Sequence, residues 1–338
     1  MQHPIVNIRT LGQCALALFL LVLMSVASAQ DIKVNVGVLK FGTVNWELNV
    51  IKNAGLDKNN GIDVVIVPFA SSDATKIALQ TGAVDIIVTD WLWVSRQRAD
   101  NVDLTFSRYS SAVGSLMVAP QSGLRTLHDL TGKKIGVAGG PLDKSWILLQ
   151  GMMKEQHGID LAAVNEIVFG APPLLAEKTI SGELDANLNY WHYSARLESQ
   201  GFKRLISVEQ VSNVMGASGP LSSLGYVFDQ KWAAKNPHSV TGFIKASMLA
   251  KGLMKSSNEE WVRMSNSGVI KDSGVALTTM RDRFREGIPV RPLKDEIRDA
   301  KIIYRVLAKA AGGKLVGDSA VLVDGTYWDG AGDFSDRN

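Results

Sequence analysis

The 338-residue chain has a single cysteine, Cys14. It stands ahead of an apolar run, whereas a lipid-carrying cysteine would follow one, so it is not read as a lipid attachment site. Once residues 1–29 are removed no cysteine is left, which excludes disulfides and thiol chemistry. Charge of one sign is also missing: 36 Lys+Arg stand against 33 Asp+Glu, and no basic block occurs. A nucleic-acid partner is therefore not expected. There are only five histidines, none paired at metal-ligand spacing, and neither G-x-S-x-G nor G-x-G-x-x-G occurs. These absences argue against a zinc centre, a nucleophile elbow and a dinucleotide site. Beyond the first thirty residues no apolar run approaches the length of a membrane-spanning helix.

The N-terminus carries Arg9, an apolar run over residues 14–24 and then Ala27-Ser28-Ala29. A charged start, a short apolar stretch and an A-x-A site are the parts of a secretory signal peptide, expected over residues 1–29. The remaining chain is about two domains long, and 46% hydrophobic content is enough for substantial cores.

An internal repeat organises that chain. "GAVDIIVTDW" begins at Gly82 and "GELDANLNYW" at Gly182, each with Asp three residues on and Trp six residues after that. Reading outward, both copies follow a strand, a helix, a Gly-Ile-Asp marker, a second strand and a second helix. The two markers stand 21 residues apart in the first copy and 24 in the second. The fold class is therefore α/β, with two βαβαβ lobes. Lobe 1 is expected over residues 30–115, lobe 2 over 116–210, and a return to lobe 1 with C-terminal helices over 211–338. Two chain crossings between lobes make a two-segment hinge. Gly82 and Gly182 are expected to end helices in the left-handed conformation, and Asp85 and Asp185 to be structural. Trp91 and Trp191 fall just past strand carboxyl ends, where open α/β sheets bind ligands.

"LHDLTGKKIGV", a helix opening after Gly-Gly, and "FDQKWAAKNPHSVTGFIKA" resemble the periplasmic solute-binding proteins of ABC importers, in the nitrate/sulfonate/taurine branch that also includes thiamine-pyrimidine binders. The resemblance implies the two-lobed periplasmic-binding-protein fold of type II, closing on a small-molecule solute and delivering it to an inner-membrane permease. It implies a periplasmic monomer with no cofactor and no catalytic residues.

On that reading the ligand groups lie in loops at strand ends. Trp46 offers a stacking face after the first strand, with Glu47 on the solvated first turn of the following helix. Ser71 and Ser72 open a helix whose unpaired amides can receive an anionic or carbonyl group. Asp90 and Trp91 end the third strand. In the second lobe, Gly140 and Pro141 let backbone approach a ligand at a helix start, and Ser145 lies in that helix's first turn, with Asp143 as a cap or a contact. Asn189, Tyr190, Trp191 and His192 form the densest polar-aromatic cluster. Tryptophan faces beside carboxylates suit a planar heterocycle, a polyol or an organic cation better than a bare oxyanion, although Lys40 and Lys144 can balance an anion. Two other classes stay open. One is a metal-delivery protein using carboxylates such as Asp324, Asp329, Asp333 and Asp336. The other is an enzyme of the pyrimidine-synthase kind.

Overall fold

The computed structural model describes residues 31–330. The signal peptide expected over residues 1–29 lies outside them, as do Asp333 and Asp336. The chain runs β1 (Ile32–Leu39), α1 (Val44–Asn53), β2 (Ile62–Phe69), α2 (Ser72–Gln80), β3 (Ile86–Thr89), α3 (Trp91–Ala99) and β4 (Leu104–Ser110). After β5 (Ser115–Val118) the same pattern recurs as β6 (Lys134–Ala138), α4 (Lys144–His157), one turn of α5 (Leu161–Val164), β7 (Glu166–Gly170), α6 (Pro172–Ile180), β8 (Ala186–Asn189), α7 (Trp191–Ser199) and β9 (Lys203–Ser207). Helix α8 (Val208–Val214) leads to β10 (Leu224–Asp229). The rest is helical: α9 (Gln230–Lys235), α10 (Pro237–Ser256), α11 (Glu259–Asn266), α12 (Gly274–Glu286), α13 (Leu293–Ala311) and α14 (Gly313–Val316).

The repeat becomes two sheets of matching order, β2-β1-β3-β10-β4 and β7-β6-β8-β5-β9. Each pairs the first and third strands of its βαβαβ unit in parallel, Val36 opposite Ile86 and Ile135 opposite Ala186. Each then accepts one antiparallel strand from beyond a crossing: β5 lies against β8, and β10 against β3. Parallel strands covered on both faces read as near-continuous apolar runs. Accordingly Val34, Val36 and Val38 are at most 1% exposed.

The repeated words have local physical causes. Gly82 and Gly182 adopt φ of 71° and 80°, a region that costs an L side chain free energy, and each ends a helix just before a strand. Asp85 Oδ2 accepts from the Asn35 amide at 2.7 Å, and Asp185 Oδ2 from the Lys134 amide at 2.8 Å. In both copies the aspartate therefore ties the start of its strand to the parallel neighbour. Asp85→Ala and Asp185→Ala are each expected to cost about 1.5–3 kcal/mol, the range for a hydrogen bond to a charged group. Chemical denaturation measures this, and solute affinity should be unchanged. The unequal spacing has a cause too. After the second Gly-Ile-Asp the chain does not enter a strand directly, because Asp160 caps the extra turn α5 by accepting from the Ala163 amide at 3.3 Å.

The C-terminal helices connect the two halves. Helix α12 packs on α7, where Arg196 holds Asp272 through two bonds of 2.8 and 2.9 Å and Arg283 pairs with Glu198. Helix α13 packs on α4, with Lys309 donating to Glu155 at 2.8 Å. No helix among the described residues is long and apolar enough to cross a membrane.

Candidate ligand-binding cleft

A cavity of about 390 Å³ lies where the strand ends of both sheets meet the two crossing segments. That volume falls within the range of small-molecule sites. From the first repeat it is lined by Ser72, Asp90 and Trp91, and from the second by Ser145, Tyr190, Trp191 and His192. The recurring tryptophans thus occupy matched positions, each the first residue of the helix after its lobe's third strand. Trp91 is 6% exposed and inclined to Tyr304, with ring centroids 6.3 Å apart.

Three of the helices opening towards the cavity carry caps from their own chain. Ser71 accepts from the Ala74 amide at 3.2 Å on α2, and Asp90 from the Trp93 amide at 2.9 Å on α3. On α4, Asp143 Oδ1 accepts from the amides of Ser145 and Trp146 at 3.0 and 3.2 Å. Two of the three caps are carboxylates at positive helix ends, a position a bound anion would otherwise favour.

Charge is distributed unevenly. Asp90 Oδ2 meets Lys144 Nζ at 3.0 Å, an ion pair that joins α3 of the first repeat to α4 of the second. Burial pushes the Asp90 carboxyl up, but the Lys144 ammonium and the Trp93 amide outweigh it and hold it below the usual range. Lys144, which burial would lower, is held above its ordinary value mainly by Asp90. Asp143 differs: burial raises its carboxyl, and Lys144 with two amides does not compensate. Tyr190 is raised by burial and then by Asp143. His192 is depressed to about 3, first by burial and then by Arg196, so it is neutral throughout the physiological range. Its Nδ1 is buried without a hydrogen-bond partner.

Five of the expected contacts are placed elsewhere, each for a physical reason. Trp46, expected to face the cleft, is 6% exposed in the core, edge-on to Trp191 and Trp261 with centroids 5.9 and 6.0 Å away. Helix α1 begins at Val44, which turns the third helical position inward. Ser71 serves as a helix cap and leaves the cavity wall to Ser72. Gly140 and Pro141 stand before the α4 start at Lys144 and do not line the cavity. Asn189, 3% exposed, is occupied with the Pro172 carbonyl at 2.9 Å and the Tyr190 amide at 2.8 Å. Glu47 also departs from expectation. It is fully buried, within reach of Lys251, because α10 covers α1.

Other lining residues had no local signal. Tyr109 in β4 reads as ordinary strand core, yet it lines the cavity at 2% exposure. Burial and Glu47 push its hydroxyl's pKa well up, with Thr43 acting the other way. Ile303 and Leu307 reach the cavity from α13, and Glu209 from α8. A helical periodicity shows which face is apolar but not which distant element it will cover.

Two α/β lobes with a cavity at their strand ends define a protein of the periplasmic-binding-protein fold. The chain belongs to the NMT1/THI5-like family, whose model matches residues 47–259. It is similar to the periplasmic aliphatic sulphonate binding protein SsuA from Escherichia coli, with 18% identity, TM-score 0.67, and coverage of 88% of this chain and 92% of that one. The alkanesulfonate-binding protein SsuA from Xanthomonas axonopodis pv. citri, solved bound to MOPS, is 17% identical, with TM-score 0.66 and coverage of 89% and 99%. The periplasmic nitrate-binding protein NrtA from Synechocystis PCC 6803 is 11% identical, with TM-score 0.57 and coverage of 86% and 92%. At such identities the likeness defines the fold. No curated protein matches the chain.

Proposed function

We propose that this chain is the periplasmic substrate-binding component of an ABC importer, capturing a small organic solute between its lobes and passing it to an inner-membrane permease. The observation that carries the reading is a cavity built from equivalent strand ends of both repeats, with Trp91 and Trp191 at matched positions. Family membership and the fold of the neighbours support the same role. Solute entry and release would proceed by hinge motion at the crossings, residues 111–114 and 215–223. In the first crossing Gly114 packs so closely that an added methyl would overlap the Asn189 carbonyl oxygen, which anchors that end to the second lobe. The protein would act as a monomer, without a cofactor, and as a binder rather than an enzyme.

The metal-delivery alternative has less support. Among the described residues no group of three or more His, Cys, Asp and Glu is placed to hold a metal ion, and of the carboxylates named for that alternative Asp333 and Asp336 lie outside them. A thermal-shift panel on residues 30–338, stripped by unfolding and refolding, tests the choice. It would hold sulfonates, nitrate, pyrimidines, quaternary amines, polyols, and di- and trivalent cations. A ligand at a hundred times its Kd stabilises by about 2.7 kcal/mol, which raises the midpoint by several degrees. The expected result is a rise with one organic class that Trp191→Ala abolishes. A rise with metal cations alone would contradict it.

A further inference from the structure

The charge pattern of the cleft goes further, on the footing that the cleft is a capture site. Asp90, Asp143 and Glu209 line the cavity against one ammonium, Lys144. Lys144 is committed to Asp90 at 3.0 Å, so Asp90 is already neutralised. Asp143 is not. Its Oδ1 takes the two capping amides and the Ser145 hydroxyl also bonds its carboxylate, so its hydrogen-bond partners are neutral groups, with Lys144 nearby but bonded to Asp90. Oδ2 and the Tyr190 hydroxyl converge over Gly139: a methyl placed on that glycine would lie 3.6 Å from the first and 3.4 Å from the second. Tyr190 is 42% exposed and lines the cavity together with Trp91 and Trp191. A carboxylate oxygen bordered by aromatic side chains is the arrangement that receives an ammonium group, through a charge-assisted hydrogen bond and cation–π attraction.

An unrelated feature of the same cavity also points to a ligand. The His192 Nδ1 is buried and lacks a hydrogen-bond partner. Buried polar atoms left unpaired cost free energy unless something satisfies them. His192 adds no positive charge near neutral pH that would repel a cation. We propose that the solute is a compact organic cation, an ammonium group on an apolar or aromatic body, with Asp143 Oδ2 as its counter-charge and Trp91, Tyr190 and Trp191 around it. An oxyanion is disfavoured at the same place, because Asp90 and Asp143 already occupy the positive ends of α3 and α4.

Three probes that share a benzyl body separate the possibilities: benzylammonium, benzyl alcohol and phenylmethanesulfonate, titrated into the refolded chain by calorimetry. Benzylammonium is expected to bind at least tenfold more tightly than either of the others. Asp143→Asn should remove at least tenfold of that preference; asparagine is as good a helix cap, so the variant keeps its fold. Asp85→Asn, far from the cavity in role, should change nothing in the ranking. Sulfonate binding equal to or tighter than ammonium binding overturns the cation assignment, as does ammonium binding that Asp143→Asn leaves intact. If benzylammonium does not bind, the assignment also falls. Mass spectrometry of solute released from the unstripped protein then decides the wider reading: a released anion leaves solute capture standing, and a protein that neither carries nor binds any solute ends both.

Discussion

Lys251→Met is expected to lower stability by about 3–5 kcal/mol, because it strands the carboxylate of Glu47 in the core of the first lobe. Glu47 is fully buried and Lys251 is 8% exposed, with Nζ 2.6 Å from Oε2. Tyr226 and Ser247 both donate to Oε1 at 2.6 Å, and Lys251 donates to the Ser247 hydroxyl at 2.8 Å. The ammonium also lies 4.6 Å from the Tyr109 ring centroid and 5.4 Å from that of Tyr226. Burial draws the Lys251 pKa down against the pull of Glu47. A buried pair need not add net stability, since desolvation offsets its attraction, but losing one partner leaves an uncompensated charge. Glu47→Gln with Lys251→Met is therefore expected to recover most of the loss, because glutamine still accepts from Tyr226 and Ser247. Urea denaturation of the two single variants and the double variant gives the coupling. A cost below about 1 kcal/mol for Lys251→Met would mean that the charge is solvated after all. The network bears on the site because its outer member, Tyr109, forms part of the cavity wall.

Stability is expected to fall by about 2–3 kcal/mol between pH 7 and pH 4.5 on account of His192. Its folded pKa is about 3, set by burial and then by Arg196, whereas an unfolded histidine titrates near 6.5. Between those values the unfolded chain holds the extra proton, so stability is full above about pH 6.5 and is lost as the pH falls towards 3. The slope is about 1.4 kcal/mol per pH unit for one such group. Its cause is geometric: the ring is near those of Trp191 and Tyr193, with centroids 5.7 and 4.5 Å away, and its Nδ1 is buried and unpartnered. His192→Phe should flatten the acid limb by that amount in denaturation curves taken across the range. An unchanged limb would mean that His192 titrates normally.

The sequence made the periodic part of this protein legible and left the long-range part hidden. Gly82 and Gly182 need a left-handed backbone, and Asp85 and Asp185 bond to the adjacent strand, so both leave marks at fixed offsets. The same offsets led to Trp91 and Trp191 and, through them, to the cavity. Trp46 and Glu47 were misplaced because a single turn of helix phase separates a strand-end contact from a core residue. What settled that phase was α10, which lies some two hundred residues further along the chain and brings Lys251 to Glu47. The lysine within the apolar stretch "KASMLAKGLMK" was the available sign of a buried partner. Ile303, Leu307 and Glu209 offered no sign, since a helix pattern does not name what it packs against. The ligand contacts themselves follow from caps and charges that become visible only when α3 and α4 face each other.

The most direct test of the central claim, capture of a small organic solute in this cavity, is native mass spectrometry after equilibration with a periplasmic extract. The wild-type chain would be compared with Ser72→Trp, an exposed position on the cavity wall where the added ring fills the space without entering the core. The account predicts one small organic molecule bound per wild-type chain and none on the folded variant. Equal loading of both proteins, or no loading of either, would contradict it.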